Sequence, residues 1–162
     1  MSKAGLSSVE RVAEILEGYA NRGVFRGFSR GPVRNGKAAF KILWHLDRLL
    51  GVVLDAHRHT IRFPTLLPDA DSSMCRELGE FLKSRHSRNL PEHRRIDPRK
   101  ASIRCSNRGG GIAVSLTVKG GDYAYGTRKL IHVVNEIFMV FLSDGRYHEY
   151  LVRTFNLEPD TA

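Results

Sequence analysis

Cysteine and long apolar runs are scarce in this sequence, and each shortage excludes something. The two cysteines, Cys75 and Cys105, stand 30 residues apart with no C-x-x-C and no histidine at finger spacing. That excludes a zinc ribbon. Cys75 falls among helical residues and Cys105 in a strand, so both read as small buried hydrophobes; a reactive thiol or a disulfide stays open. No window reaches the roughly 18 uncharged apolar residues of a membrane helix. The longest apolar stretch, Ile131 to Leu142, is interrupted by His132, Asn135 and Glu136. The first residues, MSKAGLSSVERV, lack the basic-then-apolar layout of a secretory signal. A cytoplasmic protein without membrane contact is the expectation.

Catalytic patterns are missing as well. No serine sits in a G-x-S-x-G elbow, and neither cysteine has a histidine in a catalytic signature. His45, His132 and His148 are isolated within periodic elements, and Glu136 and Glu149 are separated by an expected helix break. The stretch Gly121 to Thr127 (GDYAYGT) lies between a strand and a helix, where a phosphate loop would lie. Thr127, however, stands where the phosphate-binding lysine must be, and Arg128-Lys129 come too late. Strand termination and a helix cap account for its glycines. The chain therefore reads as a non-enzyme that needs no cofactor.

What is present is a full core for one domain. Hydrophobic residues make up 41% and charged residues 27% of 162 residues, ordinary globular usage that fits a single domain over 1–162. Ser7 and Glu10 have capping-box spacing. Val9, Val12, Ala13, Leu16, Tyr19 and Ala20 then recur at helical intervals up to Gly23, a natural C-terminal stop. From Val24 the period changes to two. Val24 to Arg30 predicts a strand, and 31–36 (GPVRNG) a turn-rich connection. Ala38, Phe40, Ile42, Trp44 and Leu46 alternate along a second strand. Leu50 to Asp55 and His59 to Leu67 supply two further apolar runs, the last one placed at an edge or ended by Pro64. Met74, Leu78, Phe81 and Leu82 mark a second helix. Residues 83–100 form an irregular basic loop punctuated by Pro91 and Pro98. A hairpin follows, from Ala101 to Ser106 and Ile112 to Lys119, and then a long helix from about Tyr125 to Phe155, broken at Ser143-Asp144-Gly145.

Strands grouped between helices predict an α+β fold of order α-β-β-β(-β)-α-β-β-α. Its antiparallel sheet would have five or six strands, with helices packed on one face.

Positive charge is the other conspicuous asset: 26 Lys and Arg against 17 Asp and Glu, a formal net charge of +9. It is concentrated in two segments, Arg22 to Arg62 and Lys83 to Arg108; the remainder after Arg108 is close to neutral. Such a field favours an anionic partner. Arg26, Arg30, Arg34 and Lys37 surround the first hairpin, while Arg85, Arg88, Arg94, Arg95, Arg99 and Lys100 fill the central loop. Together they are the candidate anion or nucleic-acid surface. There is no RNA-recognition or helix-turn-helix signature, and Phe25 and Phe28 are the only candidate stacking aromatics. The metal candidate is Asp55, His57 and His59, which would share one face if 55–59 were extended; a hairpin turn there would break that alignment.

The element order resembles type III secretion chaperones and the YbjN-like bacterial proteins, where helices cover one face of an antiparallel sheet. The residues carrying the resemblance are Ser7 to Ala20, Phe25 to Leu67, Ser73 to Leu82, Ile103 to Val118 and Leu130 to Phe155. It implies a protein partner and a homodimeric, non-enzymatic interaction domain, chaperone- or regulator-like, using the sheet or the C-terminal helix. The alternatives are nucleic-acid binding through the basic hairpin and central loop, and metal or small-ligand binding.

Overall fold

The computed structural model describes residues 3–45, 48–143 and 147–155. Helix α1 (Lys3–Asn21) begins before Ser7, so Ser7 lies inside the helix rather than at its cap. Its buried stripe is Val9, Val12, Ala13 and Leu16. Gly23 ends it with φ of 82°, as the Gly23 amide donates to Ala20 O (3.0 Å) and the Val24 amide to Tyr19 O (2.9 Å). This paired closure needs the left-handed residue that glycine supplies.

Four antiparallel strands follow: β1 (Gly27–Arg34), β2 (Lys37–Trp44), β3 (Arg48–Asp55) and β4 (Thr60–Leu67). Residues 31–34, expected in a loop, belong to β1. The turn is only Asn35-Gly36, with φ of 51° and 75°, the tight form whose twist matches the flanking strands. Pro32 falls where the β1–β2 register shifts, between Arg30 and Val33, so an edge strand tolerates its missing N–H. Leu46, expected in β2, and Asp144-Gly145, expected in the helix break, lie outside the described residues.

Helix α2 (Ser72–Ser84) is capped by Asp71, whose carboxylate accepts from the Met74 amide at 2.7 Å. After a single 3-10 turn at Glu92–Arg94, the hairpin β5 (Ala101–Arg108) and β6 (Gly111–Val118) closes around Gly109-Gly110. The six strands form one sheet in the order β1-β2-β3-β4-β6-β5, every pair antiparallel. The α+β architecture is thus the expected one. Strand β4 is a correction: it lies inside the sheet between β3 and β6, and Pro64 sits in the irregular stretch between the Phe63 and Leu67 pairings. A register shift satisfies a proline as well as an edge does, because either leaves no ladder acceptor waiting for its N–H.

Helices α1, α2 and α3 (Tyr123–Glu136) pack on one side, α2 against β5, α1 against β1 and α3. Helix α3 lies over β6 and β4, and Gly126 sets its distance: a Cβ there would fall 2.6 Å from Val118 Cγ2. This close approach gives the GDYAYGT glycine a packing role, and Asp122 caps α3 by accepting from the Tyr125 amide at 3.0 Å. The interrupted helix expected from about Tyr125 to Phe155 consists of α3, a π turn at Ile137–Phe141 that was not expected, and a separate α4 (His148–Phe155). Among the described residues, no helix is long and apolar enough to cross a membrane.

Candidate functional site

Strand alternation divides the sheet into two unlike faces. The side under the helices carries Phe40, Ile42, Val52, Leu54, Ile61, Phe63, Val114 and Leu116, all buried. The other side carries the alternate positions of the same strands. Its cross-strand rows read Arg104–Ser115–Arg62–Val53–Ala39 and Ser102–Thr117–Thr60–Asp55–Lys37–Arg34. Ser115 separates Arg104 from Arg62 in the first row, and Lys37 and Arg34 end the second. The result is a groove of about 450 Å³ lined by Lys37, Arg58, Arg62, Arg104 and Arg108 over a floor of Thr60, Ala113 and Ser115.

One carboxylate, Asp55, faces this groove, and it is already engaged. It is 8% exposed, accepts from the amides of His57 (3.0 Å) and Arg58 (3.2 Å), and lies 3.9 Å from Arg58 Nε. Lys37, Arg62, Arg104 and Arg108 have no carboxylate partner among the described residues. Like charges held this way focus a positive potential that an anion would relieve.

The same Asp55 geometry decides the metal candidate. Residues 56–59 turn rather than extend, and the three side chains part company. Asp55 ties its own turn, the His57 ring packs over Gly36, and His59 Nδ1 meets Tyr123 Oη at 3.1 Å. Among the described residues, no group of three His, Cys, Asp or Glu could hold a metal ion.

The ten basic residues singled out from sequence do not share one face. Lys37 lines the groove, and Arg34 sits opposite it on β1. Arg30 forks onto Glu10 of α1 at 2.7 and 3.2 Å, and Arg99 pairs with Asp97. Arg85 and Arg94 both donate to Glu136 Oε2, at 2.7 and 2.8 Å. Glu136 is 5% exposed and the Arg85 side chain 11%, while Arg94 reaches in from a partly exposed position, and together they clamp the 83–100 segment to α3. His132 Nε2 lies 3.1 Å from Glu136 Oε1, within ion-pair range but not aligned as a hydrogen bond. Burial holds the His132 pKa below its ordinary value, against the opposing pull of Glu136. Arg95 and Lys100 line a separate hollow around Tyr125. Arg26 and Arg88 are exposed, outside all of these groupings.

Arg58, Arg62, Arg104 and Arg108 were not among the sequence candidates. The available signal was parity: Arg62 alternates with Ile61 and Phe63, and Arg104 with Ile103, which puts both opposite the core. The thiols of Cys75 and Cys105 face each other across α2 and β5 at 3.9 Å. Burial, then the neighbouring Cys75, pushes the Cys105 thiol up to about 12, which disfavours its thiolate form.

No protein-family model matches the chain, and no curated protein or solved structure matches it. The surface chemistry is therefore what informs function.

Proposed function

We propose that this chain is a non-catalytic, cytoplasmic binding domain that holds a nucleic-acid backbone on the helix-free face of its sheet. The observation that carries the reading is the convergence of Lys37, Arg58, Arg62, Arg104 and Arg108 on one groove whose sole carboxylate is already engaged. Serine, threonine and alanine between the cations let a phosphate chain approach the sheet without steric conflict, and hydroxyls add donors to phosphate oxygens. The cross-strand rows contain no aromatic residue, so stacking on bases has no platform there. Contact is therefore with the phosphate backbone, and sequence selectivity is low. Two cysteines kept as thiols fit a reducing compartment.

Salt dependence tests it. If five cations each neutralise a phosphate of a duplex, log K falls with log salt at a slope of about −4.5. A fluorescence-anisotropy titration of a short duplex across salt concentrations measures that slope. A flat response, or no binding at low salt, removes the reading.

A protein partner is the second reading, favoured by Met139 and Val140 on the π turn, which are 64% and 50% exposed. Adjacent bare apolar side chains on an irregular helical turn suit an interface, including one with a second copy. Sedimentation velocity over a concentration series is the check: a dimer abolished by Met139→Glu supports it, and a monomer throughout rejects the second-copy form.

A further inference from the structure

A second basic hollow lies in the helical layer, away from the sheet groove. Tyr125 of α3 forms its floor, and the 92–100 turn forms its wall, giving a volume of about 480 Å³ lined by Glu92, His93, Arg95, Asp97, Lys100 and Lys129. The wall is fixed rather than loose. The Asp97 amide donates to Tyr125 Oη at 2.9 Å, and Ile96 beside it is fully buried, its amide bonded to Arg85 O at 2.9 Å.

Three cations meet over this floor. Lys100 Nζ lies 4.9 Å and Lys129 Nζ 5.5 Å from the centre of the Tyr125 ring, and Arg95 completes the rim. Their donors exceed the acceptors on hand. Lys129 gives two of its three protons to the carbonyls of Glu92 (3.0 Å) and His93 (3.2 Å), which leaves one. Lys100 and Arg95 have no side-chain hydrogen-bond partner among the described residues, so three ammonium and five guanidinium protons remain. The Asp97 carboxylate is taken by Arg99 through Nε (3.3 Å), Nη2 (3.2 Å) and the backbone amide (3.0 Å). Glu92 is the one lining carboxylate not engaged in this way.

We propose that this hollow is a separate anion site that takes a phosphoryl group, as a phosphomonoester or diphosphate. Converging donors in excess of the acceptors match the three oxygens of a terminal phosphate, and Arg95 can meet two of them at once. Burial holds the Lys129 pKa below its ordinary value, with Glu92 pulling the other way and Arg95 and Lys100 adding to the lowering, a cost that a bound dianion reverses.

Calorimetric titration with inorganic pyrophosphate at low salt tests the site on the full chain. Lys100→Met and Arg95→Met keep the side-chain stems and leave the Lys129 ties to the turn intact. Each is expected to weaken one-to-one pyrophosphate binding at least tenfold, while the sheet-face double variant Arg62→Ala/Arg104→Ala binds it within twofold of the parent. No pyrophosphate binding by the parent chain overturns the site, as does a loss confined to the sheet-face variant. The phosphoryl group has two sources, and a 5′-phosphorylated oligonucleotide compared with its 5′-hydroxyl twin separates them. Tighter binding of the phosphorylated form, lost in Lys100→Met, assigns a nucleic-acid end; equal binding of the two, with pyrophosphate still bound, assigns a free small molecule. The sheet-groove reading is measured with internal duplex, so either can fail without the other.

Discussion

Arg85 and Arg94 reach from the central segment to one buried carboxylate at Glu136, whereas Arg62, Arg104 and Arg108 stand over the sheet groove with none. The residue type is the same on the two sides of the sheet, and the employment is opposite. Under the helices, a guanidinium leaves water only where a carboxylate and good hydrogen bonds offset desolvation. On the bare face it keeps its water and contributes to a field instead. A net charge of +9 therefore says little until the internally matched cations are set aside. Those left without a matching acid of their own, such as Arg62, Arg104 and Arg108 on the bare sheet face, are available to an outside anion.

The largest test of this contrast is Glu136→Ala. It would leave Arg85 buried without its counter-ion, and a stability loss of about 3–5 kcal/mol is expected from urea unfolding. A loss near zero would mean the clamp is open to solvent and would erase the distinction. Next comes Arg62→Ala/Arg104→Ala, which removes two phosphate contacts. Its duplex salt slope should shrink by about 1.8, with stability unchanged or slightly raised by relief of like-charge repulsion. Destabilisation comparable to Glu136→Ala would place these arginines in the structural class.

A pH effect of intermediate size is expected from His45, whose ring is sandwiched between Trp44 and Phe138, centroids 4.1 and 4.0 Å away. Burial lowers its pKa to about 4. The unfolded chain, titrating near the usual value of about 6.5, then binds more protons than the folded one between those values. Stability is complete above about pH 6.5 and falls as pH drops toward 4. Asparagine tolerates the φ of 48° at this position, so His45→Asn should flatten the urea-midpoint profile over that window. An unchanged profile would assign the acid sensitivity elsewhere. The smallest effect is Arg30→Ala. Its pair with Glu10 is solvent-exposed, so the same unfolding measurement should show almost no change, despite a 2.7 Å contact.

The periodic elements were legible because each carries its own signal. The period-two alternation of Ala38, Phe40, Ile42 and Trp44, and the helical spacing of Met74, Leu78 and Leu82, match their buried residues. Boundaries were less legible where one residue has two physical solutions. Pro64 fits an edge or an interior register shift, and 31–34 fits a loop or a bulged edge strand. For the candidate site, local charge density pointed to Arg34 and Lys37 but equally to Arg30, Arg85 and Arg94, which have partners far along the chain. Arg30 lies 20 residues from Glu10, and Arg85 lies 51 from Glu136. No window of sequence contains both members of such a pair.

By itself, then, the sequence determined the α+β class, the apolar faces and the excess of positive charge, since these follow from periodicity and composition within short windows. Tertiary structure decided which cations are neutralised and which are left over. Inserting β6 between β4 and β5 brings Arg62 and Arg104 to one cross-strand row, and folding the central segment onto α3 buries Glu136 between two arginines. Pairing across the chain depends on distance in space, and only the closed sheet and its helical cover set that distance.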